Sequence, residues 1–280
     1  MLERYDKGVE GSGMKSRLYF LSLTASIFIA LAGCTSVTAT ASLIPTELSI
    51  EEHALSQRPE AEYTQLYFAD STPDDILVKH EEERSKSFTF MDASCTVDNH
   101  FGICATLGAD KLMAWDEYGS GLFGSGKVTL ARNDSSIYQI AVGDSSPIGS
   151  LRGLWTYDSH WALETAYVTN HQKGNEIDSE AVGQISVDGQ LLNKQLNFQE
   201  AFGFQTMHGK PFYFFKQDNK IGISYAGVEV PLGYAEVLHY GCCSAATLNP
   251  KVAQNMVAFF ARKGSRWYYT EIGVFGSPSP

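Results

Sequence analysis

From Tyr63 onward, aromatic and β-branched residues are broken by Gly, Asn, Asp and Ser, and this pattern limits the fold more than any other feature of the chain. FYFF at 212–215 and IGISY at 221–225 are separated by KQDNK. Two such runs across a polar turn predict a β-hairpin. VAFF at 257–260 and WYYT at 267–270, around a turn containing Gly264, repeat the arrangement 45 residues downstream. Three further pairs are predicted: 88–90 with 99–104, 128–130 with 137–140, and 161–163 with 166–168. A long polar insertion at 170–180 follows the last pair. No long stripe of helical period competes with these runs, so the chain reads as all-β.

A second element also repeats. ISVDG at 185–189 matches ISYAG at 223–227, and Phe198-Gln199-Glu200-Ala201 matches Tyr234-Ala235-Glu236-Val237. The five units begin near residues 88, 128, 161, 212 and 257, a mean spacing of about 42. Several strands per unit at this spacing point to propeller blades, here five, with a two-sheet β-sandwich as the alternative. Gly222, Gly227, Val230-Pro231 and Tyr234-Ala235-Glu236 also resemble a WG-type propeller repeat. The resemblance covers about one unit well, and it implies a β-propeller.

The N-terminal region carries a different signal. After Met14, Lys15 and Arg17 precede a 15-residue uncharged run from 18 to 32, which ends in Leu31-Ala32-Gly33-Cys34. A basic start, an apolar run and small residues before a cleavage point mark a secretory signal peptide. Leu-Ala-Gly-Cys resembles the bacterial lipobox. That resemblance implies that Cys34 receives a diacylglycerol and becomes the new N-terminus. Residues 1–34 are therefore read as a signal peptide with its true start at Met14, residues 35–60 as a tether with a short helical segment around 47–55, and residues 61–280 as the all-β domain. The implied location is extracytoplasmic, on the cell membrane through the lipid anchor. Thr35, where Asp would retain the protein at the inner membrane, points to the outer membrane if the host has one.

Charge and cysteine content narrow the function classes. The whole chain has 21 basic and 32 acidic residues; removing four and three with the leader leaves 17 and 29, a net charge of −12. Such a surface repels nucleic acid and anionic lipid headgroups. Cys95, Cys104, Cys242 and Cys243 remain after Cys34. An even count in an exported chain favours disulfides, and Cys-x8-Cys with Cys-Cys lacks zinc-ligand spacing. Cys95 and Cys104 flank the turn of the first hairpin and are expected to pair. Cys242 and Cys243 can form a strained vicinal bridge, remain thiols, or bridge to the first pair.

No catalytic motif survives inspection, and neither a metal nor a cofactor is expected. GLFGSGK at 121–127 precedes Val128, where a phosphate-binding loop needs Ser or Thr, and Gly143-Asp144-Ser145-Ser146 lacks the second glycine of a nucleophile elbow. Asp158, Glu164, Glu200 and Glu236 could supply the two unlike carboxylates of a glycoside hydrolase. Glu200 and Glu236, however, occupy matching repeat positions, which implies a structural role. Trp155, Tyr157, His160, Trp161 and Tyr240 are candidate ligand-binding residues, because exposed aromatics stack on sugars or anchor partners. The expectation is a non-catalytic protein presenting an all-β surface to an envelope glycan, peptide or partner protein. An extracytoplasmic carbohydrate-active hydrolase on a five-bladed propeller is the alternative.

Overall fold

The structure is a computed structural model that describes residues 44–56, 58–59, 94–97, 100–121, 123–146, 149–240 and 250–275. The leader with Cys34, the run at 88–90, and Cys242-Cys243 lie outside the described residues. Strands follow one another in antiparallel meanders, as the alternation of apolar runs and turns requires. The first contains β2 (Ser94–Val97), β3 (His100–Leu107), β4 (Asp110–Tyr118), β5 (Ser125–Arg132) and β6 (Ser135–Asp144). The second contains β7 (Leu151–Tyr157), β8 (His160–Lys173), β9 (Glu176–Val187) and β10 (Gln190–Leu191). A single parallel bridge, Gly143 to Val168, joins the two into one nine-stranded sheet. A β-carbon at Gly143 would stand 2.0 Å from the Val168 carbonyl oxygen, and its φ is +74°, so the crossing requires glycine.

A one-turn helix, α1 (Leu192–Gln195), leads into the third meander. It comprises β11 (Glu200–Met207), β12 (Lys210–Gln217), β13 (Lys220–Tyr225) and β14 (Val228–Tyr234). In the last sheet β15 (Glu236–Val237) and β16 (Lys251–Val252) both pair with β17 (Met256–Lys263), which pairs with β18 (Arg266–Gly273). The outer edge of β18 is taken by β1 (Ser49–Ala54), in register from Ser49 opposite Gly273 to Ala54 opposite Tyr268. The helical segment expected around 47–55 is therefore a strand, and part of the expected tether belongs to a sheet. Six ladder positions on β18, with Leu48 and Leu55 buried at either end, outweigh the weak helical preference of Glu-Glu-His-Ala.

The cores lie between successive meanders, and strands buried on both faces feed two of them. Along β17, Val257, Phe259 and Ala261 enter the core shared with β11–β14, while Met256, Ala258 and Phe260 enter a second core on the opposite face. On β12, Phe212 and Phe214 face the last sheet, whereas Tyr213 and Phe215 face β8 and β9. A further core of Leu112, Ala114, Val128, Leu130, Leu154, Trp161 and Leu163 lies between the two halves of the nine-stranded sheet. The sheets therefore stack face to face, and none closes on itself.

The all-β reading holds, and its hairpins at 212–225, 257–270 and 128–140 appear as β12–β13, β17–β18 and β5–β6. The pair expected at 161–163 and 166–168 is corrected: both runs lie in the continuous strand β8, and the polar stretch at 170–180 supplies the tip of the β8–β9 hairpin. Residues 100–104 of the run expected at 99–104, and the hairpin at 128–140, read as separate units, belong to one meander. Cys95 and Cys104 form a disulfide across β2 and β3, with their Cα atoms 5.9 Å apart. Among the described residues no helix is long and apolar enough to cross a membrane.

Candidate functional site

Polar side chains are concentrated where the first strand of each meander meets the meander before it. A β-bulge interrupts β11 between Phe202 and Gln205, with Gly203 at φ +65°. It turns two consecutive amides toward β8, where Glu164 accepts Gly203 N on Oε1 at 2.9 Å and Phe204 N on Oε2 at 2.6 Å. The bulge also sends Phe202 and Phe204 to opposite cores. The preceding junction has the same design. β7 bulges between Leu151 and Gly153, and Asp116 on β4 accepts Ser150 N at 3.2 Å and Leu151 N at 3.1 Å through Oδ1. Tyr118 Oη lies 2.6 Å from Ser150 Oγ and 3.1 Å from Asp116 Oδ1.

The segment leaving β15 completes the cluster. Tyr240 Oη donates to Glu164 Oε1, and the guanidinium of Arg152, on β7, stands 4.6 Å from the Tyr240 ring centroid. His239 Nε2 lies 2.9 Å from Glu200 Oε1, which also accepts Gly183 N at 2.9 Å; His239 Nδ1 lies 2.6 Å from the Val237 carbonyl. The imidazole stacks on Phe202 at 3.7 Å between centroids.

These environments push the carboxylates apart. Burial raises Glu164 above the ordinary carboxylate range against the bonds from Tyr240 and the two amides. Burial likewise raises Asp116. Burial alone would raise Glu200, but the hydrogen bond and charge of His239, with the Gly183 amide, outweigh it and hold the group below its ordinary value. Burial beside Glu164 raises Tyr240 well above the phenol range, and burial pushes Tyr118 up to about 12.

The sequence-derived ligand candidates do not converge. Trp155 and Tyr157 pack on Phe204, with ring centroids 5.2 and 5.8 Å apart, in the core toward β11. Trp161, 7% exposed, points to the other face of the same sheet and meets Tyr138. His160 is exposed beside the β7–β8 turn, with Nδ1 2.5 Å from Asp188 Oδ2. Only Tyr240 enters the polar cluster. Of the acids, Asp158 sits in an exposed turn at φ +48°. Glu200 and Glu236 open the first strands of successive sheets, opposite Lys216 and Arg262, and Glu236 Oε2 accepts Arg262 Nε at 2.9 Å.

Sequence reasoning missed Asp116, Arg152 and His239. Arg152 stands in Leu-Arg-Gly-Leu-Trp, a charge within an apolar strand, and that was the available signal. The segments 121–127 and 143–146 contact each other, since Ser145 Oγ donates to the Gly121 carbonyl at 2.6 Å. Among the described residues no group of three or more His, Cys, Asp or Glu side chains is placed to hold a metal ion. Comparison of the chain with protein-family models, characterised proteins and solved structures found no match.

Proposed function

We propose that this chain is a lipid-anchored envelope protein whose all-β domain binds a glycan, peptide or partner protein and carries out no catalysis. The observation that supports this reading is the use of Glu164. Glu164 and Glu200 are unlike carboxylates, as a glycoside hydrolase needs, but both Glu164 oxygens are taken by amides of the next sheet and by Tyr240. A general acid must aim its proton at a leaving group; Glu164, 3% exposed, is turned into a junction.

For the fold we infer a propeller-like arrangement rather than a two-sheet sandwich. A sandwich has one core between two sheets, whereas here successive meanders share successive cores. Supplying the outer strand of the last sheet from the start of the chain is also how a ring of sheets would be fastened.

The test is incubation of the full chain with a panel of envelope polysaccharides, reading both retention and new reducing ends. Retention without new ends is the expected result. New ends that vanish in Glu164→Gln or Glu200→Gln would replace this reading with the hydrolase.

A further inference from the structure

Strand β1 ends the last sheet with an open edge. Leu55 N donates to the Trp267 carbonyl at 2.9 Å, which sets the phase of the β1–β18 ladder. Ser49, Glu51 and His53 therefore turn their amides and carbonyls toward β18, while Ile50, Glu52 and Ala54 turn theirs outward. Among the described residues no strand pairs with this outer row. Two other edges are guarded. β14 carries Pro231 and a break in register, with Gly233 at φ +75°, and the outer stretch of β9 carries Glu176, Asp178 and Glu180. The six residues of β1 include neither proline nor glycine, and its ladder has no bulge.

The same strand walls a groove. Ile50 and Glu52 of β1, Val230 and Leu232 of β14, and Ile44 and Lys263 border about 370 Å³ where the last sheet faces the third meander. Ile44, 45% exposed, and half-buried Leu232 make its mouth apolar. At its polar end Glu52 accepts both Tyr234 Oη and Lys263 Nζ on Oε1, and Oε2 has no partner among the described residues. We propose that this rim docks an extended segment of a partner protein, which adds a strand to β1, drops an apolar side chain beside Ile50 and sets a Lys or Arg against Glu52. In an antiparallel added strand the residues opposite Ile50 and Glu52 share their face and overlook the groove. A second copy of β1 suits the edge poorly. The two antiparallel registers of fullest overlap set Glu51 against Glu51 or Glu52 against Glu52. A basic segment meets no such repulsion, and the excess of acids over bases in the chain attracts it.

This surface deepens the binding reading above, toward a protein partner, and rests on it. The test titrates the full chain in detergent into the fluorescein-labelled peptide TVTKTIT, which sets its Lys opposite Glu52 and its Ile opposite Ile50 when antiparallel, and follows anisotropy. Saturable binding is expected. N-methylation at the Lys blocks an amide that must face β1, whereas N-methylation at the Thr after it blocks one that faces away. The first should bind at least about tenfold more weakly than the second. Glu in place of the Lys should also weaken binding about tenfold. Ala54→Pro removes one outward N–H and no bond to β18, so it should weaken binding several-fold while melting near the parent temperature. Ile44→Asp charges the mouth of the groove and should weaken binding about tenfold. No saturable binding, equal binding of the two N-methylated peptides, or undiminished binding by both variants overturns the docking rim. A dimer in sedimentation that the peptide dissociates gives the edge to a second copy and overturns the separate partner. Either failure would leave polysaccharide retention and acylation at Cys34 untouched, so the two readings fail separately.

Discussion

Glu164 and Phe204 stand on strands of different sheets, yet Oε2 of the first accepts the backbone amide of the second at 2.6 Å. A bulge normally leaves amides without ladder partners. Here a carboxylate from the second strand of the preceding meander accepts two of them, and Asp116 does the same one junction earlier. The acid spaces and orients the neighbouring sheets, which apolar packing alone leaves free to slide.

If Glu164 serves this junction, Glu164→Gln should cost roughly 2–3 kcal/mol, because the amide group replacing one oxygen faces N–H or O–H donors. Asp116→Asn should cost less, since its contacts are longer and its surroundings less buried. Urea unfolding of the two variants checks both values. A Glu164→Gln chain as stable as the parent would remove the structural role and reopen the catalytic one.

Glu200 sets a pH dependence whose sign follows from its lowered folded value. An acid depressed by folding contributes stability above its unfolded value, about 4.3 for Glu, and loses it as pH falls through the folded one. The stability gap between the parent and Glu200→Gln should therefore be widest above about pH 4.5 and close under stronger acid. Thermal melts from pH 3 to 5.5 measure it. A gap that widens toward acid would mean that His239 does not hold Glu200 ionised.

The β12–β13 and β17–β18 hairpins were legible because each apolar run stops at a turn whose residues take positive φ: Asp218, Asn219 and Gly264. Strand β8 was misdivided for an equally local reason. Glu164-Thr165 interrupts an apolar run and resembles a turn, but Glu164 is polar because a junction 40 residues away in sequence needs an acceptor. The same distance hid the site, since Tyr240 meets Glu164 across 76 positions. Strand β1 was least legible, because its ladder partner, β18, lies more than 200 residues downstream.

Reduction of the Cys95–Cys104 disulfide should destabilise the chain by roughly 2–3 kcal/mol, the range for closing so short a loop. Non-reducing peptide mapping should recover the two in one fragment. Recovery of either with Cys242 or Cys243 would contradict the β2–β3 pairing.

Anchoring makes a separate prediction. Cys34→Ala should abolish incorporation of labelled palmitate and leave the longer precursor. Continued labelling of that variant would refute lipidation at Cys34 while leaving the β-domain argument intact.

The fastening of the last sheet by β1 can be tested directly. Removing residues up to 55 strips β18 of six ladder positions and withdraws Leu48 and Leu55 from the two cores that the last sheet serves. The bared edge of β18 would offer unpaired amides and carbonyls to any other chain. A chain beginning at Ser56 should therefore aggregate or lose cooperative melting, and a peptide of residues 44–55 should restore both solubility and the transition. Restoration requires register, so the same peptide with Ile50→Asp, which places a charge against the core shared with β11–β14, should fail. If the shortened chain instead stays soluble and melts near the parent temperature, β1 is a dispensable edge strand, and the propeller-like reading proposed above must give way to an open stack.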